Sequence, residues 1–353
     1  RRASLALALG VGRQDVMAKL QAGQRSALLL VSHRLMERPE PIARLRRRGA
    51  AFVPLVHDLI PATHPEYARP GVALQHLRRL STVARLADGI LVNSSATRDA
   101  LLPHLTGQDH AAPIRVAPLG LDLPGIAPAS RPSGPYFVAI GTIEPRKNHL
   151  LLLHLWRDFA EKYGSAAPRL LLVGRRGWEN EQILDMLERC SLLRGLVEER
   201  GELPDAEVAG LLRGARALLF PSFAEGYGLP LGEALACGVP AICSDLPALR
   251  EVGGAVPEYL DPLDGAGWRR AILDYAEPGS NAHRAQLQRL EHWQAPHWDD
   301  HFAAVDELLA RVTGRSVVQV GASGGSDALV ASPRRNSASL RPEPDVAAEF
   351  RGS

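Results

Sequence analysis

A chain of 353 residues is long for a single hydrophobic core and suits two domains of ordinary size. Its 46% hydrophobic and 23% charged residues are the make-up of a soluble globular protein, and a formal net charge of +2 gives no argument for nucleic acid as a partner. Cys190, Cys237 and Cys243 are too few and too scattered for a disulfide framework or a zinc site, which fits a reducing cytosol. No apolar run approaches the roughly 18 to 20 residues of a membrane span.

The opening RRASLALALG imitates a signal peptide, but its apolar core is too short and runs into Arg13 and Asp15. A start at Arg1 rather than methionine points to a missing upstream segment. A short helix is expected over Gln14 to Leu20, a buried strand over Ala27 to Val31, and a helix over Ile42 to Arg48 closed by Gly49. Phe52 to Val56 reads as a second buried strand. It delivers His57 and Asp58 to the carboxyl end of a parallel sheet, where side chains point into the ligand crevice. A lone histidine is nevertheless more often structural than catalytic. The Ile60-Pro61 pair reads as a break, and Val72 to Leu86 as a helix with Leu74, Leu77, Leu80 and Ala84 at helical spacing. A strand over Ala87 to Val92 is followed by Asn93, Ser94 and Ser95, a natural cap for a helix ending near His104. Ile114 to Ala117 makes the last strand of a first domain, residues 1–120, and the Pro-, Ser- and Gly-rich stretch 121–134 is the linker.

The second domain, residues 135–313, opens with a strand over Tyr136 to Ile140. The loop Gly141-Thr142-Ile143-Glu144-Pro145-Arg146-Lys147-Asn148 then leads into a long helix to about Tyr163. Arg146 and Lys147 beside a helix start could bind a diphosphate, the guanidinium in pairs of oxygens and the ammonium as a point charge; a solvated basic pair is the plain alternative. Arg169 to Val173 is a strand ending at Gly174, which lets the chain pass close to a nucleotide, and Trp178 reads as packing rather than base stacking. A helix over Ile183 to Cys190, a strand within Leu196 to Leu203, and a helix from Asp205, its expected cap, to Arg213 follow. The strand ending in Phe220, the loop to Gly228 and a helix from about Leu231 then form a strand, loop and helix unit whose free amides favour anions. Glu225 and Glu233, eight residues apart, cannot share one helical face and must address different parts of a ligand. Because carboxylates repel phosphate, they are expected to accept hydroxyl hydrogen bonds from neutral sugar rings. Strands over Ala241 to Cys243 and Gly253 to Leu260 follow, with helices over Leu246 to Glu251 and Gly265 to Tyr275. A final helix carries Trp298, Phe302, Val305, Leu308 and Val312, and residues 314–353 are expected to be disordered.

Several of these segments together resemble the retaining glycosyltransferases of family 4. They are FAEGYGLPLGEALACGVPAICSDLPALREVGG with its E-x7-E spacing, GTIEPRKNHLLLL, VHDLIPATHPEY and ADGILVNSSATRDALL. The resemblance implies the GT-B fold, an α/β architecture of two Rossmann-like domains facing one cleft, with the last helix crossing back to the first domain. It also implies a transferase that moves a hexose, GDP-mannose being favoured over UDP-sugars, onto a glycan or lipid-linked oligosaccharide without metal or other cofactor. Its implied place is the cytoplasm, with peripheral contact at the inner face of the membrane left open. By the same resemblance His57 lies beside the transferred sugar, Arg146 and Lys147 hold the departing diphosphate, Glu225 holds the sugar hydroxyls and Glu233 the ribose. Gly226, Tyr227, Gly228 and Leu229 present backbone amides, while Gly141, Gly174 and Leu203 line the nucleotide. Only 56 residues precede His57, with no counterpart of the family's opening glycine-rich loop, so an incomplete acceptor side is expected. Two rivals are a GT-B sugar-nucleotide epimerase, which the E-x7-E loop disfavours, and a non-catalytic nucleotide-sugar-binding remnant.

Overall fold

The computed structural model describes residues 26–105, 112–122, 125, 129, 131–132 and 134–314, all within one compact unit. The expectations for residues 1–25 and for the tail beyond 314 lie outside the described residues.

The first sheet is four parallel strands in the order β1 (Ser26–Leu30), β2 (Ala50–Val56), β3 (Ile90–Val92) and β4 (Ile114–Val116). Its crossovers are α1 (Pro39–Arg46), the single-turn α2 (Ile60–Thr63) with α3 (Val72–Leu86), and α4 (Ser95–Leu101). Phe52, Val56, Ile90 and Val92 point to the face covered by Ile42, Leu80, Val83 and Leu101 of these helices. Val53, Leu55 and Leu91 point to the opposite face. That alternation is the two-residue period of a strand buried on both sides.

The second sheet has six parallel strands in the order β10-β9-β8-β5-β6-β7. They are β5 (Tyr136–Ile140), β6 (Arg169–Val173), β7 (Val197–Arg200), β8 (Leu218–Phe220), β9 (Ala241–Ser244) and β10 (Glu258–Leu260). One face is covered by α5 (His149–Tyr163), α6 (Glu181–Arg189) and α10 (Gly265–Ala276), around Trp156, Phe159 and Trp268. The other carries α7 (Asp205–Leu212), α8 (Leu229–Ala236), α9 (Pro247–Gly253) and α11 (Asn281–Leu290). Winding proceeds outward from β5 to β7, then restarts beside β5 at β8. The switch point, where the loops after β5 and β8 diverge and leave a crevice, is therefore between those two strands.

The last helix, α12 (Trp298–Thr313), does cross back: Ala304, Val305 and Leu308 cover the outer face of the first sheet. The chain leaves the first domain at Gly120 and Leu121 and returns past Pro296 and Trp298, and the Leu121 amide donates to the Pro296 carbonyl at 3.1 Å. Arg131, in the linker, donates to the Gly210 carbonyl at the end of α7.

Several expectations need correction. Leu74 and Leu77 are exposed, because α3 buries its His76, Leu80 and Val83 face instead. Phe302 is exposed too and stacks on Trp298 rather than joining the buried stripe. Asp205 is the first residue of α7, capped by Pro204 without a side-chain bond, so it is not the cap. The stretch 253–257 is the end of α9 and a turn, and only Glu258–Leu260 is strand. Pro61 does not break the chain; it occupies the opening turn of α2, where a missing N–H costs nothing.

Candidate active site

The loop after β5 closes on itself before the helix begins. Pro145–Lys147 forms one tight turn, Asn148 takes a left-handed conformation at φ 54°, and α5 starts at His149. This bend turns both cations inward against the loop after β8. Lys147 Nζ donates to Glu225 Oε1 at 2.6 Å, and Arg146 Nη1 approaches the same oxygen at 3.0 Å. Arg146 also donates to the Ala224 carbonyl at 2.6 Å and pairs with Glu144 at 2.7 Å. These side chains are 9% (Glu225), 10% (Lys147) and 17% (Arg146) exposed, so they form a buried four-charge cluster and not a solvated basic pair. Burial by itself would push the Glu225 carboxyl up; the Lys147 and Arg146 charges outweigh it and hold the group below its ordinary value. The carboxylate occupies the position, between two cations, that suits a phosphate oxygen.

The second glutamate has a different environment. Glu233, on α8, is half-buried, and no hydrogen-bond partner is found for its carboxylate among the described residues. Burial, with Asp205 adding repulsion, raises its pKa. Leu203 packs beside the same apolar cluster that α7 and α8 complete, so Leu203 and Glu233 share one side of the switch point. The loop between the glutamates is held firmly. Phe223 N donates to the Arg146 carbonyl at 2.9 Å, and the Tyr227 hydroxyl donates to the Leu119 carbonyl at 2.7 Å. Burial, with Glu251 nearby, pushes that phenol up to about 12. Gly228 is the residue before α8, and Leu229 is its exposed first residue.

Gly141 and Gly174 pass close to each other. Gly174 has φ 153°, and a Cβ there would collide with the Gly141 carbonyl, so the packing of backbone on backbone already requires a glycine at this position. Gly141 itself lies against the methylene chain of Lys147.

The first domain reaches the loop directly. A Cβ on Gly226 would lie 2.6 Å from the His57 carbonyl and 2.7 Å from Asp58 Cβ, so the two domains touch here. Ser94, whose Oγ accepts the Thr97 amide and so caps α4, donates from that same Oγ to the Gly226 carbonyl at 2.7 Å. Thr97 Oγ1 sits 3.2 Å from the Gly226 carbonyl and 3.3 Å from that of His57. The cap read from sequence is therefore also an interdomain contact. Glu251, on α9, receives the Ser95 and Ala96 amides, and Tyr67 stacks on Phe223 at 5.5 Å. Neither contact carries a sequence signal, since each joins residues more than 150 positions apart. His57 Nε2 lies 2.9 Å from the Val31 carbonyl; a carbonyl only accepts, so Nε2 carries the proton and Nδ1 is left as an acceptor. Asp58 Oδ1 accepts the Ile60 amide at 3.0 Å.

Two interdomain cavities flank the Gly226 contact. One, of about 280 Å³, is lined by Glu225, Gly226, Thr63, His64, Ala96 and Pro247 among others. The other, of about 630 Å³, lies on the side of Thr142, Arg146, Arg175 and Trp178. Asp58 and Ile60 border both. Trp178 donates from its ring nitrogen to the Tyr67 carbonyl at 3.2 Å, a packing contact between domains.

Comparison with known proteins shows what the chain is similar to. Residues 134–277 match the family described as glycosyl transferases group 1. Over 129 residues the chain is 40% identical to O-antigen chain mannosyltransferase B of Escherichia coli, covering 36% of this chain and 33% of that one. Over 245 residues it is 29% identical to the serotype-specific mannosyltransferase WbdA of the same species, covering 63% of this chain and 29% of the other. The chain thus spans about a third of the length of these curated relatives. Among solved structures, Anabaena HepE in complex with UDP and glucose superposes with a TM-score of 0.63 at 16% identity, over 84% of this chain and 82% of that one. The sucrose-phosphate synthase of Thermosynechococcus elongatus superposes with a TM-score of 0.57 at 20% identity, over 78% and 71%. Two parallel sheets, a crevice at the switch point and the likeness to these solved structures agree on the GT-B fold, and residues 134–277 are similar to the group 1 glycosyl transferases.

Proposed function

We propose that this protein is a retaining glycosyltransferase that moves a hexose, mannose in the favoured case, from a nucleotide diphosphate donor to a glycan or lipid-linked oligosaccharide. The observation that carries the reading is the convergence of Arg146 and Lys147 on one carboxylate oxygen of Glu225 at the switch point. A donor diphosphate offers oxyanions to the same two cations, and charge growing on the departing phosphate is met by groups already in place. That arrangement needs no divalent ion for leaving-group charge. Glu233, a carboxylate without a hydrogen-bond partner among the described residues, is suited to the ribose hydroxyls. Leu203 and Gly174 flank the nucleotide on that side, and Gly226 to Leu229 supply amides. Glu225, once the diphosphate shares its cations, turns to the hydroxyls of the sugar, and His57 offers Nδ1 as a further acceptor.

The mannosyltransferase names of the relatives support mannose, and therefore GDP-mannose, over UDP-sugars. They support a growing surface polysaccharide as acceptor, reached from the cytoplasmic side of the membrane. No helix among the described residues is long and apolar enough to cross a bilayer, which is compatible with peripheral attachment.

Calorimetric titration with GDP-mannose, UDP-glucose and UDP-N-acetylglucosamine, each in EDTA, tests the reading. GDP-mannose should bind without metal, and Glu233→Gln should weaken it about tenfold through loss of charge-assisted bonds. If no donor binds, or binding requires added Mg²⁺, the reading fails.

A further inference from the structure

The 630 Å³ cavity shares only Arg146 with the donor-binding residues and is within the size range of small-molecule sites. None of Leu203, Glu225, Gly226 or Glu233 lines it. Its charge is unusual for a cleft meant for neutral sugars. Four arginines, Arg69, Arg146, Arg175 and Arg176, face two carboxylates, Asp58 and Glu144. Glu144 and Glu225 neutralise Arg146, and Glu188 and Glu199 neutralise Arg176. Arg69 and Arg175 have no carboxylate partner among the described residues, and they come from opposite domains.

Arg69 is held at its guanidinium and Arg175 at its backbone. Arg69 lies over the Trp178 ring at 5.3 Å, and Trp178 is in turn fastened to the Tyr67 carbonyl. That contact costs the guanidinium none of its five N–H donors, which stay available to a ligand. Arg175 follows β6, where its own carbonyl accepts the Ile143 amide at 2.9 Å. Asp58, the wall carboxylate without a cation partner among the described residues, accepts only a backbone amide and retains capacity for a hydroxyl.

Resting on the donor reading above, we propose that this cavity is the acceptor subsite and that it selects an acceptor sugar bearing an oxyanion, a phosphate or a carboxylate. Arg69 from the first domain and Arg175 from the second clamp the anion, and Asp58 orients a hydroxyl beside the donor. Both residues are exposed at the cavity's edge, where a bound anion would meet two guanidiniums that no carboxylate already neutralises.

The test is calorimetric titration of the full chain with mannose 6-phosphate, with glucuronate and with methyl α-mannoside, at low salt and with saturating GDP. At least one anionic sugar should bind ten or more times tighter than the neutral glycoside, the value of one or two charge-assisted contacts. Which anion does so identifies the group. In Arg69→Gln/Arg175→Gln that preference should vanish while GDP-mannose affinity stays unchanged. The proposal is overturned if neither anion binds, if neutral and anionic sugars bind alike, if the double variant keeps the preference, or if GDP displaces the anion, since the site would then be the donor's. A failure of GDP-mannose to bind would strike the donor reading instead, and the two failures are separable.

Discussion

The carboxylate of Glu251, on α9 of the second domain, receives the backbone amides of Ser95 and Ala96 at 2.7 Å each and so completes the start of α4 in the first domain. A helix terminus is capped here from across the cleft by a negative charge that also suits its dipole. Glu251→Ala should loosen domain contact and cost about 1 kcal/mol of stability. Small-angle scattering would show a larger radius of gyration at 0.5 M salt than for the parent chain. An unchanged radius would assign the contact to Tyr67 and Phe223 instead.

Removing one member of the buried cluster should hurt more than removing two. Lys147→Met leaves Glu225 buried with only Arg146 beside it, and the expected loss is about 3 kcal/mol. Adding Glu225→Leu should recover most of that stability in urea melts, because no buried charge is then left unmatched. Donor binding should be absent from both variants, which separates the structural from the functional part of the cluster.

Glu233→Gln should move stability the other way. The carboxyl's pKa is raised by burial and by Asp205, so the folded state holds this proton more tightly than the unfolded chain. Between the unfolded and folded pKa values stability falls as pH rises, and at neutral pH the ionised group is a net burden. The neutral amide should raise the melting temperature at pH 7 while weakening the donor. An unchanged or lower melting temperature would contradict the burial argument.

Acid sensitivity should trace to the first domain's histidines. His33, buried against His57 and His76 with ring centroids 5.3 and 5.5 Å away, has its pKa lowered from 6.5 to about 4, by burial first and by His57 and His76 next. A depressed histidine contributes stability that is complete above pH 6.5 and is lost as pH falls toward 4, because the unfolded chain takes the proton first. His33→Phe should reduce the slope of stability against pH in that window by about 1.4 kcal/mol per pH unit, read from urea melts at several pH values.

The second domain was largely legible from its residues. Its strands are buried on both faces and stand out as continuous apolar runs such as YFVAI and RLLLV, which are the observed β5 and β6. Helix α11 left almost no trace, because Leu287 and Leu290 are its main apolar anchors in an otherwise polar stretch. At the site, local pattern announced Arg146, Lys147 and the glutamates but not their arrangement. Lys147 and Glu225 are 78 positions apart, and only the tertiary fold makes them partners. Arg69, Arg175 and Glu251 have no local signature, since nothing local distinguishes a solvated charge from one that faces another domain.

The return of α12 onto the first sheet has a consequence for synthesis. The second domain is one uninterrupted run of chain and can complete its core as soon as it leaves the ribosome. The first is split: Val53, Leu55 and Leu91 wait for Ala304, Val305 and Leu308, made more than 200 residues later. The first domain, translated before the second, is therefore finished after it, and a stalled or clipped chain lacking α12 would present an apolar sheet face for chaperones or aggregation to claim.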